Sequence, residues 1–162
     1  MTEDFTGKVA LVTGGGSGIG AATCRAFAAA GAQGAILDRN VSAAEAVAAE
    51  ITGRNGHAAA YGLDVVGREA FARLTEGITE AWGGIDILVN GAGTTVRRMI
   101  GEMGAEDWDR VIAVNLTGAW RYCRICGRAA AAPSSISPRS PGSASRLAAP
   151  RIIRRRKRAF SV

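Results

Sequence analysis

Apolar and polar residues alternate in blocks along this chain, and the blocks repeat one order: buried strand, then amphipathic helix. Residues 8–14, Lys-Val-Ala-Leu-Val-Thr-Gly, form a short apolar run closed by glycine, the pattern of a strand buried on both faces. Alanines and Phe27 recur at helical spacing over residues 18–30, and Gly31 ends that helix. A second apolar run covers Gly34 to Asp38. Ser42, with Glu45 three residues on, predicts a capping box for a helix that reaches about Arg54, where Asn55-Gly56 breaks it. His57 to Asp64 reads as a third strand and Arg68 to Trp82 as a third helix, ended by Gly83-Gly84. Ile85 to Asn90 reads as a fourth strand. Ala105 to about Tyr122 reads as a fourth helix, with Trp108, Val111, Ile112, Asn115 and Leu116 along one side.

Strands that alternate with helices imply right-handed crossovers and a parallel sheet covered on both faces. The expected fold class is therefore a doubly wound α/β sheet, with strand order 3-2-1-4 and an end after the fourth helix. Two segments are expected: a sheet-forming one, 1–122, and a basic tail, 123–162. From Ala129 to Pro150 the chain is rich in Ala, Pro, Ser and Arg and has no strand or helix period, a composition that predicts disorder.

Charge sharpens that division. The formal net charge of +6 averages two unlike parts. All 14 acidic residues lie between Glu3 and Asp109, and residues 1–120 hold 9 basic residues, a balance of −5. Residues 121–162 hold 11 Arg or Lys and no acid. A basic tail of this kind fits nucleic-acid binding, with Arg154 to Arg158 as the densest run; the plain alternative is a solvated tail. Met1 to Gly7 is polar, and no stretch is apolar for the length of a bilayer, so neither a secretory leader nor a membrane span is expected and the default location is cytoplasmic. Three cysteines and a single histidine, His57, give no metal set. The Cys123-x-x-Cys126 pair has no second pair to complete a site and reads as two incidental thiols.

The first strand runs into Thr13-Gly14-Gly15-Gly16-Ser17-Gly18-Ile19-Gly20. Binding a phosphate takes close backbone approach, free N–H groups and a helix N-terminus whose dipole favours anions. Gly14, Gly18 and Gly20 supply the turn and the clearance, though a tight turn with no ligand would use them too. Asp38 closes the second strand, about 20 residues beyond the glycines, where a carboxylate can accept hydrogen bonds from ribose hydroxyls and repel a 2′-phosphate. That favours NAD. Ser17 brings no positive charge, whereas Arg39 offers a guanidinium that suits the 2′-phosphate of NADP. A turn or cap role for Asp38 is the alternative.

Thr13 to Gly20 resembles the T-G-x-x-x-G-x-G turn of the short-chain dehydrogenase/reductase family, whose fold is of the Rossmann type. Asp64-Val65 is similar to the end of that family's third strand, where the Asp contacts adenine. Asn90-Gly91-Ala92-Gly93 is similar to its N-N-A-G motif, with Gly91 in place of the second Asn. Asn115 in Val-Asn-Leu-Thr-Gly resembles its active-site Asn; backbone capping is the simpler role for Asn90 and Asn115. The resemblance covers residues 5–122, about half of a typical member. It implies a nicotinamide dinucleotide bound by Gly14, Ser17, Gly18, Ile19, Gly20, Asp38, Arg39, Asp64, Val65, Asn90, Ala92 and Gly93. It also implies an alcohol or carbonyl substrate and a homo-oligomeric parent enzyme.

In that family a Tyr, its acidity tuned by a Lys four residues later, exchanges the proton at the substrate oxygen, and a Ser orients that oxygen. Here the tyrosines are Tyr61 and Tyr122 and the lysines Lys8 and Lys157, none four apart. Reading the tail codons one base out of step allows Ser-Ile-Val-Asn-Ile-Ser over Pro133–Pro138 and Tyr-x-Ala-Ser-Lys over Ile153–Lys157. Both resemble the missing motifs, in order. They predict a frameshift near Tyr122–Ile125 and a chain impaired in catalysis, or a non-functional product of the shift.

Overall fold

The computed structural model describes residues 4–130. Four strands, β1 (Val9–Thr13), β2 (Gln33–Asp38), β3 (His57–Gly62) and β4 (Ile87–Asn90), form one parallel sheet in the order β3-β2-β1-β4. This is the expected order. β1 pairs with β2 from Val9↔Gln33 to Thr13↔Leu37 and with β4 from Ala10↔Ile87 to Thr13↔Asn90. The helices between strands are α1 (Gly18–Ala29), α2 (Val41–Thr52) and α3 (Arg68–Trp82). A short 3₁₀ turn (Ile100–Glu102) precedes α4 (Ala105–Ile112), a π-helical segment (Ala113–Gly118) and α5 (Ala119–Ala130).

Alternation within β1 and β2 divides the core into two layers. Val9, Leu11, Ala35 and Leu37 face Phe71 and Ile78 of α3 and Tyr122 and Cys126 of α5. Val12 and Ile36 face Ala21 and Cys24 of α1 and Ala44, Val47 and Ile51 of α2. Both faces are covered, so every residue of β1 is apolar or, like Thr13, satisfied within the fold. The small residues of α1 and α2 let these helices approach the sheet closely.

Two expectations need correction. The cap of α2 is Asn40, not Ser42: the Asn40 side chain accepts a hydrogen bond from the Ala43 N–H at 3.2 Å, and the helix begins at Val41. The expected single helix 105–122 is α4, a widened π turn and α5 in succession, and it continues to Ala130. On the side that helical spacing groups together, Trp108 and Leu116 are exposed, at 55% and 62%. The part of the basic tail beyond Ala130 lies outside the described residues. No helix among the described residues is long and apolar enough to cross a membrane.

Candidate dinucleotide site

The C-terminal ends of β1, β2 and β4 meet at one end of the sheet, on both sides of the point where successive connections from β1 run in opposite directions. Crevices at such points are where open α/β sheets bind ligands. At this end the chain leaves β1 through Gly14, which has φ +67°, and enters α1 through Gly18, with φ +51°. These values belong to the left-handed region that glycine adopts at little cost. A Cβ on Gly14 would stand 2.8 Å from the backbone of Gly91 and Ala92, and one on Gly20 would overlap the Gly14 carbonyl. The loops after β1 and β4 therefore cross at glycine-only distance.

The first turn of a helix leaves its N–H groups without partners inside the helix. At α1 the N-cap Ser17 makes no side-chain cap bond, and no acidic residue stands in the first turn. Ser17, Gly18 and Ile19 are exposed. The result is a bare, positively polarised helix end with open space around Gly18. A pyrophosphate fits such an end.

Asp38 lies beside this turn. Its Oδ2 accepts the Gly16 N–H at 3.0 Å and its Oδ1 accepts the Asn40 N–H at 2.9 Å. Each oxygen keeps a lone pair, which is what two ribose hydroxyls would need. A Cβ on Gly16 would lie 2.9 Å from Asp38 Oδ2, so the third glycine of the run makes room for the carboxylate. Sequence reasoning missed Gly16; the unbroken run Gly14-Gly15-Gly16 was its signal. Arg39 is exposed and joins no ion pair among the described residues.

Asp64 and Val65 lie just past the end of β3, in a turn closed by Asp64 Oδ1 accepting the Val66 N–H at 3.0 Å. Thr13, a second residue missed in the sequence, ties β1 to the loop after β4. Its hydroxyl donates to the Val89 carbonyl at 3.3 Å and accepts the Ala92 N–H at 3.2 Å. Gly91 stands where the resemblance implies Asn. A Cβ there would lie 2.6 Å from the Thr13 carbonyl oxygen, so the local backbone leaves no room for one. Asn90 closes β4, and its Nδ2 donates to Cys123 Sγ at 3.6 Å.

Asn115 lies in the π segment. Its Oδ1 accepts the Thr94 N–H at 2.8 Å and its Nδ2 donates to the Thr94 carbonyl at 2.9 Å. A Cβ on Gly93 would lie 3.6 Å from Asn115 Oδ1, which places Asn115 against the loop that follows Ala92. In this arrangement the amide ties the loop after β4 to the π segment beside Gly93.

Both tyrosines among the described residues are held within the fold. Tyr61 is in β3, half-buried, and burial holds its phenol above the usual range. Tyr122 is 2% exposed, lies on the Phe71 ring at 3.7 Å between centroids, and its hydroxyl has no hydrogen-bond partner. Burial, then the charge of Asp64, holds its phenol well above the usual range. Lys8 is at the opposite end of the sheet, bound to Asp86 at 3.0 Å.

With this geometry in place, comparison with known proteins gives a consistent result. The short chain dehydrogenase family matches residues 8–134, past the residue 122 at which the sequence resemblance ended. The chain belongs to that family. It is 40% identical over 122 residues to D-threitol dehydrogenase of Mycolicibacterium smegmatis, covering 75% of this chain and 47% of that protein. A crystal structure of a short chain dehydrogenase from Mycobacterium avium superposes with TM-score 0.74 at 40% identity, covering 76% of this chain and 46% of that one. A metagenomic short-chain oxidoreductase in complex with NADP superposes with TM-score 0.74 at 34% identity, covering 80% and 58%. The chain spans half or less of the length of the curated relatives it matches, from 18% to 48%.

Proposed function

We propose that this chain is the cofactor-binding half of an oxidoreductase that moves hydride between an alcohol or carbonyl carbon and a nicotinamide dinucleotide, with NAD preferred over NADP. The observation that carries the reading is the uncapped N-terminus of α1 set beside Asp38. When bound, the nicotinamide supplies or takes up the hydride. The chain's own residues do the holding. The N–H groups of Ser17, Gly18, Ile19 and Gly20 receive the pyrophosphate. Asp38 accepts the adenosine ribose hydroxyls, and Asp64 and Val65 border the adenine. Asn90, Ala92 and Gly93 wall the crevice, and Asn115 keeps that wall in place. A 2′-phosphate on the ribose would meet the Asp38 carboxylate, whose charge repels it; Arg39 is the nearby group that would favour it.

Hydride transfer also needs a proton to move at the substrate oxygen, and loss of general acid–base help costs about 10²–10⁴-fold in rate. The tyrosines of the described residues are buried or half-buried in the fold, away from Lys8, which supports the reading that this chain is impaired in catalysis. A gene in which codons after about 120–130 return to the other frame permits Tyr-x-x-x-Lys.

Calorimetry on the 162-residue chain tests the cofactor assignment, with NAD binding tighter than NADP as the expected result. Tighter NADP binding would overturn the role given to Asp38 and assign the ribose end to Arg39. Purified chain is expected to form no NADH from alcohols, whereas the frame-restored chain is expected to do so. Sequencing the gene through codons 120–130 tests for the frameshift, and sequencing on through codon 157 decides whether the alternative frame encodes the missing pair.

A further inference from the structure

We propose that Gly118 and Arg121 are positioning residues for the adenosine end of the dinucleotide, acting through the turn Asp64–Val65–Val66. This inference rests on the dinucleotide reading above and goes beyond it, because both residues lie more than 50 positions along the chain from the turn they hold.

The turn is closed on itself by two bonds, Val66 N–H to Asp64 Oδ1 at 3.0 Å and Gly67 N–H to the Asp64 carbonyl at 3.0 Å. Those bonds fix its shape but not its height over the sheet. Its height is set by what lies behind it. Gly118, the last residue of the π segment, is buried and has no positive φ, so its backbone does not require glycine. Space favours it: a Cβ there would stand 3.3 Å from the Val65 carbonyl oxygen and 3.3 Å from the Ala113 carbonyl oxygen, closer than ordinary van der Waals contact. The Val65 carbonyl therefore lies close against the bare backbone of Gly118. Three residues on, Arg121 Nη1 donates to the Val66 carbonyl at 3.4 Å. The next residue, Tyr122, is packed in the core layer against which Leu63 and Val65 lie, so the support is rigid. The π segment and α5 thus form a shelf, and Asp64 and Val65 stand on it.

The substitution Gly118→Ala separates positioning from stability. Alanine is the better helix former by about 1 kcal/mol, so the fold should hold or gain. The Val65 carbonyl must yield by a few tenths of an ångström, and with it the adenine-side turn. The probes are ADP-ribose and nicotinamide mononucleotide, with Kd measured by calorimetry on the whole 162-residue chain. Gly118→Ala should weaken ADP-ribose binding by about three- to ten-fold. Nicotinamide mononucleotide binding should be unchanged, and amide exchange at Val65–Gly67 should be faster. Arg121→Ala should act in the same direction more weakly, with Arg121→Lys recovering part of the loss; this pair decides the matter if Gly118→Ala does not fold. Unchanged ADP-ribose affinity and unchanged exchange at Val65–Gly67 in folded variants would overturn the inference alone. A wild-type chain that binds neither NAD nor ADP-ribose would overturn the dinucleotide reading, and this inference with it.

Discussion

Asn115 holds the backbone of Thr94 at both of its polar groups, accepting from the N–H at 2.8 Å and donating to the carbonyl at 2.9 Å. One side-chain amide thereby does what a neighbouring strand would do for a single residue. The two are 21 positions apart, and their pairing joins the loop after β4 to the π segment.

Removing the amide should release that loop. Asn115→Ala is expected to cost about 1–2 kcal/mol, the worth of two net hydrogen bonds at a partly solvated site. Urea denaturation measures the cost, and amide exchange at Thr94 should rise with it. Unaltered protection at Thr94 would show that the loop is held by other contacts.

Two glycines of the phosphate turn should respond differently to alanine. Gly18 has φ +51° but open space where a Cβ would go, so Gly18→Ala costs the strain of that conformation, about 1–2 kcal/mol. Gly14 has φ +67° and backbone atoms 2.8 Å from the same point. Gly14→Ala adds overpacking to strain and should cost about 2–5 kcal/mol. Equal losses in the two variants, measured by thermal or urea unfolding, would contradict the crossing of the two loops at Gly14.

Asp86 carries a pH signature. Burial pushes its carboxyl up, but the Val9 N–H, the Lys8 hydrogen bond and the Lys8 charge together outweigh it and leave the group below its ordinary value. A carboxyl lowered on folding adds stability above its unfolded pKa of about 4 and loses that contribution as pH falls through the folded value. Asp86→Asn should therefore be less stable than wild type at pH 7, with the gap closing below about pH 4. A gap that stayed constant down to acid pH would assign the effect to shape rather than charge.

The thiols should divide by burial. Burial pushes Cys24 and Cys126 up from their usual value of 9.0 to about 11, whereas Cys123 is exposed. The thiolate is the reacting species, so Cys123 should react alone with an aromatic disulfide reagent at pH 8, and the other two only with denaturant. A thiol raised on folding stabilises the native state below its unfolded pKa, so that contribution should fade as pH rises from about 9 toward about 11. Rapid labelling of Cys24 in native protein would contradict its place in the α1 layer.

The strand order and the glycine turn were legible because each strand is an apolar run stopped by glycine or aspartate, a signal internal to the segment. The Asn40 cap was harder to read. Asn40 and Ser42 are both good caps two residues apart, and the choice follows from where the chain leaves Asp38, which is held by Gly16 on another element. The π segment was not legible at all. Its neighbour across the gap is Thr94, and no periodicity within residues 105–122 records that contact. For the same reason nothing within that segment signals the approach of Gly118 to the Val65 carbonyl. The exposed Trp108 shows the opposite limit: helical spacing identified a side but not whether anything covers it.

The order β3-β2-β1-β4 also has a consequence in time. The first three strands lie next to one another in sequence as in space, whereas Thr13 finds its β4 partner Asn90 only 77 residues later. Chains are made from the N-terminus, and contacts distant in sequence close late. A nascent chain therefore holds the glycine turn and Asp38 well before Gly91 and Ala92 arrive to cover Gly14. Slow or interrupted synthesis in this stretch would leave a three-stranded sheet with β1 as a bare edge, a form to which other chains can add.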